Sequence, residues 1–422
     1  MWQSTDRRVA RLCICGMMWA ISTMPTASLA DQGEPARLEA LAKILQRAIA
    51  SNLEIQAARA GLDSLRARLA GSRLPLNNPQ LEFEAEQSDV ETYRLGISQT
   101  IDWHDKQAVL SKVAETELHA AEAELAGLEL NRSAELLKAI GAIWLHSEID
   151  RLATRRIQAL EHFTRLVEQR RLAGDIPQAD LELARLALTE AVLEQADHAA
   201  DLAEARQAYF ALSGERSDQS IRLPEQLPDL PHRDRTLEEI AGAHPQVRSA
   251  HLAALTAHAR VQAIAQENRP DPNLGLVAGR EDDQTILGVR VSLPLQLRNR
   301  FQAQVQASQA ETIQAEQVAM QAYRKTLASL IGAEERYRLI SRAWSVWISQ
   351  GLPSLSKHAR LLENQWHAGE SSTTDYLLQV KQSLDTRIAG TRMEGRRWNV
   401  WVEWLSASDS LQSWLAPTAR EE

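Results

Sequence analysis

Cysteine is almost missing from this chain. Cys13 and Cys15 are the only two among 422 residues, and both fall in an N-terminal segment that reads as a removable secretory signal, residues 1–30. Arg7, Arg8 and Arg11 supply its positive end, Leu12 to Trp19 begin its short apolar run, and Ser28-Leu29-Ala30 give the small residues before a cut ahead of Asp31. The run is too short for a lasting membrane span. Neither cysteine sits in a lipid-attachment motif, so no lipid anchor is expected. Without this segment the chain has no disulfide or thiolate chemistry.

A basic surplus is missing too. The formal net charge is -9. The signal segment holds Arg7, Arg8, Arg11 and Asp6, so the remainder carries 44 basic against 55 acidic residues, which argues against a nucleic-acid partner. No other stretch approaches the run of about 18 apolar residues that a spanning helix needs. A membrane could then be entered only as a β-barrel, and a secretory signal makes that a bacterial outer membrane. Gly (18) and Pro (14) are sparse, below the usual combined share of about twelve per cent. Few breakers permit long helices and exclude an all-β barrel, which needs many turns. There is no P-loop, no HExxH and no GxSxG motif. The chain is not expected to be an enzyme, and no cofactor is expected.

What is present begins with two hairpins. In Asn78–Lys106, Leu81, Phe83 and Ala85 alternate with Glu82, Glu84 and Glu86; past the acidic turn, Tyr93, Leu95, Ile97, Gln99 and Ile101 alternate with Arg94, Gly96, Ser98 and Thr100. In Asp271–Arg298, Leu274, Leu276 and Ala278 share one face, as do Leu287, Val289, Val291 and Leu293 of the return strand. Period two marks strands with one apolar and one polar face. The expected hairpins cover about residues 80–102 and 273–294, a strand length that suits a tilted bilayer crossing. Two hairpins cannot bury both faces in a soluble core of their own, and in lipid their edges would be open. Several chains pooling strands into one barrel resolves this. Two surface β-flaps on a helical protein would show the same pattern.

The rest reads as helix. Residues 37–71 carry Leu41, Ile44, Leu45, Ala48 and Ile49 at three-four spacing. Asp105 to Leu172 contains no proline; as one helix it would span about 100 Å, a length that implies a coiled coil or a tubular assembly. Gly174-Asp175-Ile176-Pro177 turns the chain into a return helix over 178–213. Pro224, Pro228 and Pro231 mark a linker, 214–235.

The second half repeats the first. Gly96 corresponds to Gly288, Asn52 to His244, and Gly174 to Gly369. The unit is helix, hairpin, long helix, tight turn, helix, over 31–213 and again over 236–408, with a tail at 409–422. This is a duplicated architectural unit. Pro353, after Gly351, interrupts the second long helix and predicts a kink there. Trp398, Trp401 and Trp404 recur every three residues and read as packing. His244, His251 and His258 share a helix face, but seven residues rise about 10.5 Å, too far for two to hold one ion; no metal site is expected.

With these motifs in order, the sequence resembles the TolC family of outer-membrane efflux proteins. The likeness is carried by Asn78-Pro79-Gln80-Leu81, Leu95 to Trp103, Gly288 to Pro294, Arg298-Asn299-Arg300 and the turns at Gly174-Asp175 and Gly369-Glu370. The spacing around Ser292 to Arg300, and the proline ahead of the second turn, resemble the heavy-metal, CzcC-like branch. The resemblance implies a mainly α fold with a small β part: long antiparallel helical hairpins forming a periplasmic tunnel, and four transmembrane strands per chain given to one barrel shared by a homotrimer. It implies that Leu81, Phe83, Leu95, Ile97, Leu274, Leu276, Leu287, Val289 and Val291 face outer-membrane lipid. Asp89, Glu91, Glu281, Asp282 and Asp283 would lie in external loops, and Trp103 at an interface. Gly174, Asp175, Gly369 and Glu370 become the tip that meets a periplasmic adaptor protein. Asp375, with Asp180 at its counterpart, becomes the candidate acidic aperture; Leu378 stands where some members have a further aspartate. The partner supplying energy would be an inner-membrane RND-type pump.

The implied function is a passive conduit for export, of divalent heavy-metal cations in the CzcC-like branch or of organic solutes more generally. A lumen lined by Glu82, Glu84, Glu86 and Arg94 would favour cations. Two readings from other classes stand beside it. A periplasmic adaptor would need a lipoyl-like β-domain between its helices; a structural coiled coil would not need matched amphipathic strands.

Overall fold

The computed structural model describes residues 34–87, 89, 91–216, 223–224, 226–230, 234–295, 298–368 and 370–416. The expected signal segment and Gly369 lie outside them. Helices α1 (Glu34–Ser51) and α2 (Leu53–Ser72) lead into strands β1 (Gln80–Gln87) and β2 (Glu91–Thr100). Then come α3 (Lys106–Leu172), its return helix α4 (Gln178–Ser213), the short α5 (Leu237–Ala243) and α6 (Pro245–Glu267). Strands β3 (Asn273–Glu281) and β4 (Gln284–Ser292) follow, then α7 (Gln302–Val346), α8 (Leu352–Ala368), α9 (Thr373–Ala407) and α10 (Leu411–Leu415).

Residues 37–71 are not one helix. The break falls at Asn52, whose side chain accepts from the backbone N–H groups of Glu54 and Ile55 at 3.0 and 3.1 Å. Its repeat counterpart, His244, does the same between α5 and α6, with Nδ1 accepting from Gln246 N–H. Both residues have extended backbone and so start a new helix. The kink at Pro353 is present as a π-helical turn, Trp347–Gly351, joining α7 to α8. A π turn widens the helix by one residue, and here the Trp347 ring lies over Gly390 of α9, where any side chain would collide.

The four strands form one antiparallel sheet in the order β1-β2-β3-β4. The helices joined to them keep that order: α2 packs on α3, α3 on α6, and α6 on α7. A wall of four strands therefore continues into a wall of four helices. The largest core lies in the helical body. It gathers Leu41 and Leu45 of α1, Leu137 and Ile140 of α3, Tyr337 of α7, Trp398, Trp401 and Trp404 of α9, and Leu411 and Leu415 of α10. Trp398 is 1% exposed, lies over Gly141 and donates Nε1–H to Leu137 O at 2.8 Å. Part of the 214–235 segment packs here as well. Leu223 is buried, and Leu227 O and Pro228 O accept from Arg397 and the Tyr337 hydroxyl. Among the described residues, no helix is long and apolar enough to cross a membrane.

Candidate functional site

The strands are paired so that direct partners share a face. Leu81 lies opposite Ile97, Ile97 opposite Leu276, and Leu276 opposite Val289. Phe83, Leu95, Ala278 and Leu287 form the next row, and Gln99, Leu274 and Val291 a third. All nine residues expected to face lipid fall on this one face. All are solvent-exposed in the single chain, up to 81% for Leu287. On the opposite face only the middle is shielded: Thr92, Ser98, Gly96 and Gly275 of the central strands are buried there, while Glu84, Glu86 and Arg290 on the edge strands stay exposed. This sheet is inside out relative to a soluble protein, with contiguous apolar surface outward and polar groups within.

The polar face carries paired charges. Glu84 meets Arg94 at 3.3 Å, and Glu82 meets both Ser98 Oγ at 2.9 Å and Arg290 at 2.6 Å. Arg290 belongs to the far edge strand, and the small residues between, Gly96 and Gly275, clear the path across. Arg290 was not singled out by the alternation, which identifies a polar face but not which charges on it meet. Two of the three acids read as lining are thus neutralised. Glu86 and Glu281, which share the row nearest the acidic turns, carry the surplus negative charge of this face.

Strand-to-helix junctions repeat as well. Asp105 and Phe301, just before α3 and α7, both have a left-handed backbone, with φ of 52° and 55°. Asp102 supplies the missing cap for α3, accepting from Lys106 N–H and Gln107 N–H at 2.9 Å each. Those donors hold its carboxyl below the usual carboxylate range against the opposing effect of burial. Lys106 forms a nearly buried ion pair with Asp271 at 2.9 Å, tying the two repeats together below the sheet. Trp103 is exposed at this level, its backbone N–H directed at Asp271 Oδ1.

At the other end the two tight turns share one backbone hydrogen bond. Gly174 has φ of 85°, and Asp175 N–H donates to Arg170 O at 3.0 Å. In the second turn Glu370 N–H donates to Gln365 O at 2.9 Å, its counterpart in the repeat. Asp180 and Asp375 occupy matching places in the first turns of α4 and α9, but their surroundings differ. Asp180 is half-buried and accepts from Thr373 Oγ1 at 2.6 Å. Asp375 is exposed and bonded within its own turn, its N–H to Ser372 Oγ at 3.1 Å and its carboxylate to the same hydroxyl at 2.7 Å. Leu378 is exposed one turn on.

A cluster not legible in the sequence holds the two hairpins together near these turns. Phe163 of α3 stacks on Tyr376 of α9 with centroids 4.6 Å apart, and Trp366 of α8 lies against both. Arg170 sits over the Trp366 ring at 4.7 Å. Phe163 lies some two hundred residues before Trp366 and Tyr376, which themselves sit on either side of the second turn, so no spacing rule joins the three. The histidines part company. His244 is the buried helix cap, its pKa lowered by burial, and His258 pairs with Glu316 at 2.7 Å. Among the described residues no group of His, Cys, Asp and Glu is arranged to hold a metal ion.

No protein-family model matches this sequence. The chain is 27% identical over 293 residues to the cobalt-zinc-cadmium resistance protein CzcC of Cupriavidus metallidurans, covering 68% of this chain and 69% of that protein. Among solved structures it superposes on the outer-membrane channel OprN with a TM-score of 0.75, at 17% identity, over 89% of this chain and 91% of that one. It superposes on CusC, whose structures concern folding and transmembrane channel formation, with a TM-score of 0.72 at 15% identity, over 87% and 91%. The resemblance read from the motifs is borne out: the helical walls and the four-stranded sheet are the fold of TolC-family channels.

Proposed function

We propose that this chain, a homologue of a cobalt-zinc-cadmium resistance protein with the fold of TolC-family outer-membrane channels, is the outer-membrane conduit of a tripartite efflux system that exports divalent heavy-metal cations. The observation that carries the reading is the inverted sheet. Its apolar face is outward, the middle of its polar face is shielded, and among the described residues β1 and β4 each leave one edge unpaired. Open edges are not tolerated in lipid, so the sheet must close with copies of itself; a homotrimer would give twelve strands. The protein then has no reaction to catalyse. It supplies a water-filled path, and a periplasmic adaptor and an inner-membrane RND-type pump supply direction and energy.

The four helices continuing the strands would carry the path into the periplasm. The tip formed by Gly174, Asp175, Gly369 and Glu370 would receive the adaptor, and Asp375 and Asp180 would line the aperture. The exposure of Asp375 supports its role there. Asp180 is already engaged by Thr373, which supports a part in holding the tip together. Surplus acid at Glu86 and Glu281 suits a cation path, and the absence of a tight metal cage among the described residues is no obstacle, because strong binding slows passage.

The test is the metal sensitivity of a strain lacking the gene, with and without the gene restored, against zinc, cobalt, cadmium, copper and a panel of dyes and antibiotics. Sensitivity to divalent metals, reversed by the restored gene, is expected. Sensitivity to organic compounds alone would overturn the metal reading and leave a general efflux channel.

A further inference from the structure

Over the four strands, the polar face carries four acids, Glu82, Glu84, Glu86 and Glu281, and two bases, Arg94 and Arg290. Each base pairs with one acid, Arg94 with Glu84 at 3.3 Å and Arg290 with Glu82 at 2.6 Å. The two pairs differ in reach. Arg94 and Glu84 are direct partners on adjacent strands. Arg290 and Glu82 come from opposite edges of the sheet, with β2 and β3 between them. Adjacent strands stand about 4.8 Å apart, so in a flat sheet β1 and β4 would be about 14 Å apart. Side chains standing perpendicular to a flat sheet could not meet over that span. The contact therefore requires the sheet to curl toward its polar face, which puts that face on the concave side. Glycine keeps the floor low beneath the arms: a Cβ at Gly275 would lie 3.7 Å from Arg290 Cβ, and one at Gly96 3.8 Å from Glu82 Cβ.

We propose that Arg290 is a specificity-determining residue of the barrel. It reaches across the concave face and cancels Glu82; Arg94 cancels Glu84 on the next row, and the middle of the path is held neutral. Glu86 and Glu281, opposite each other through Thr92 on the row by the turns, keep their charge. The inference rests on the channel reading and deepens it by dividing the barrel into two levels. An exported cation crosses a neutral stretch and meets surplus acid only at the outer row. No uncompensated carboxylate of the strands holds it on the way, as conduction requires. The side chains of the two pairs are 33% to 49% exposed, and ion pairs this open add little stability. What they set is the charge met by anything moving along the concave face.

Full-length protein in planar bilayers, across a potassium chloride gradient, gives a reversal potential and from it the ratio of cation to anion permeability. Arg290→Gln frees Glu82 and should raise that ratio several-fold. Glu82→Gln frees Arg290 and should lower it, and the double variant should return close to the unaltered protein. A pair that only braced the sheet would move both single variants the same way. Arg280→Gln removes the same charge from the opposite face, where Arg280 pairs with Asp283, and should leave the ratio unchanged. Should Arg290→Gln fail to assemble, the direction of the Glu82→Gln shift decides alone. Single variants that leave the ratio unchanged, move it in one direction, or move it no further than Arg280→Gln overturn the role of Arg290 and leave the channel. Unaltered protein that conducts nothing overturns the channel reading and this inference with it.

Discussion

The sheet and the helical body obey the same alternation of apolar and polar residues but point it in opposite directions. In the body, Trp398, Trp401, Leu137 and Ile140 face inward and are almost fully buried. In the sheet, Leu81, Phe83, Leu287 and Val289 face outward, and Ser98 and Thr92 are covered. The body holds its core within the single chain; the sheet, on the proposed reading, is half of a structure whose other half is lipid and neighbouring strands. Burial in one chain therefore measures completeness as much as it measures core.

That contrast can be broken most strongly in the body. Trp398→Ala removes a large ring lodged over Gly141 together with its hydrogen bond to Leu137 O, so it should cost about 3–5 kcal/mol. Denaturant melts followed by circular dichroism should show it in detergent as well as in membranes, since this core owes nothing to lipid. Leu95→Arg or Val289→Arg should cost about 2–4 kcal/mol near the bilayer midplane, and here the effect should depend on the membrane. Expected is a fall in assembled protein on immunoblots of outer-membrane fractions, with the helical signal of the extracted chain unchanged. Normal levels of the arginine variants would mean that this face does not meet lipid.

A smaller effect sharpens the comparison through pH. Burial pushes the Glu394 carboxyl up to about 7; facing Glu148 adds to the rise, against Arg387 and Arg397. Its proton is held more tightly in the folded chain than in the unfolded one, where the ordinary value is 4.5. The associated stability is full below about pH 4.5 and is lost as pH rises through about 7. The melting temperature of the helical body should thus drop between pH 5 and pH 8, and Glu394→Gln should flatten this dependence. An unaltered pH profile in that variant would show that Glu394 is not the group responsible. Ser372→Ala is the mildest change. It removes the cap of α9 and the hydroxyl beside Asp375, a loss of about 1 kcal/mol. Faster amide exchange is expected in the first turn of α9, with α4, which starts after Pro177 without a side-chain cap, unaffected.

The two repeats offer an internal measure of what was legible. The hairpins, the long α3, the return helix α4 and the interruption near Pro353 follow from period, turn residues and proline placement, which act locally. The Asn52–His244 correspondence was visible, but its meaning was not. A polar residue within an apolar three-four pattern does not announce that its side chain will cap the backbone and break the helix. At the tip, Asp180 and Asp375 look equivalent in sequence. Only packing separates them, because Thr373 of one hairpin reaches Asp180 of the other.

The sequence alone determined the strands, their faces, the longest helix with its return and the duplication, because each depends on neighbours within a few residues. It also determined that a chain without long apolar runs could meet a membrane only through those strands. Tertiary structure decided which charges pair across the shielded face, as Glu82 does with Arg290, and which rings lock the hairpins, as Phe163, Trp366 and Tyr376 do. It also decided that the helices line up in the order of the strands, leaving α2 and α7 as flanks. These pairings join residues far apart in the chain. They are set by where whole elements come to rest, which no local period encodes.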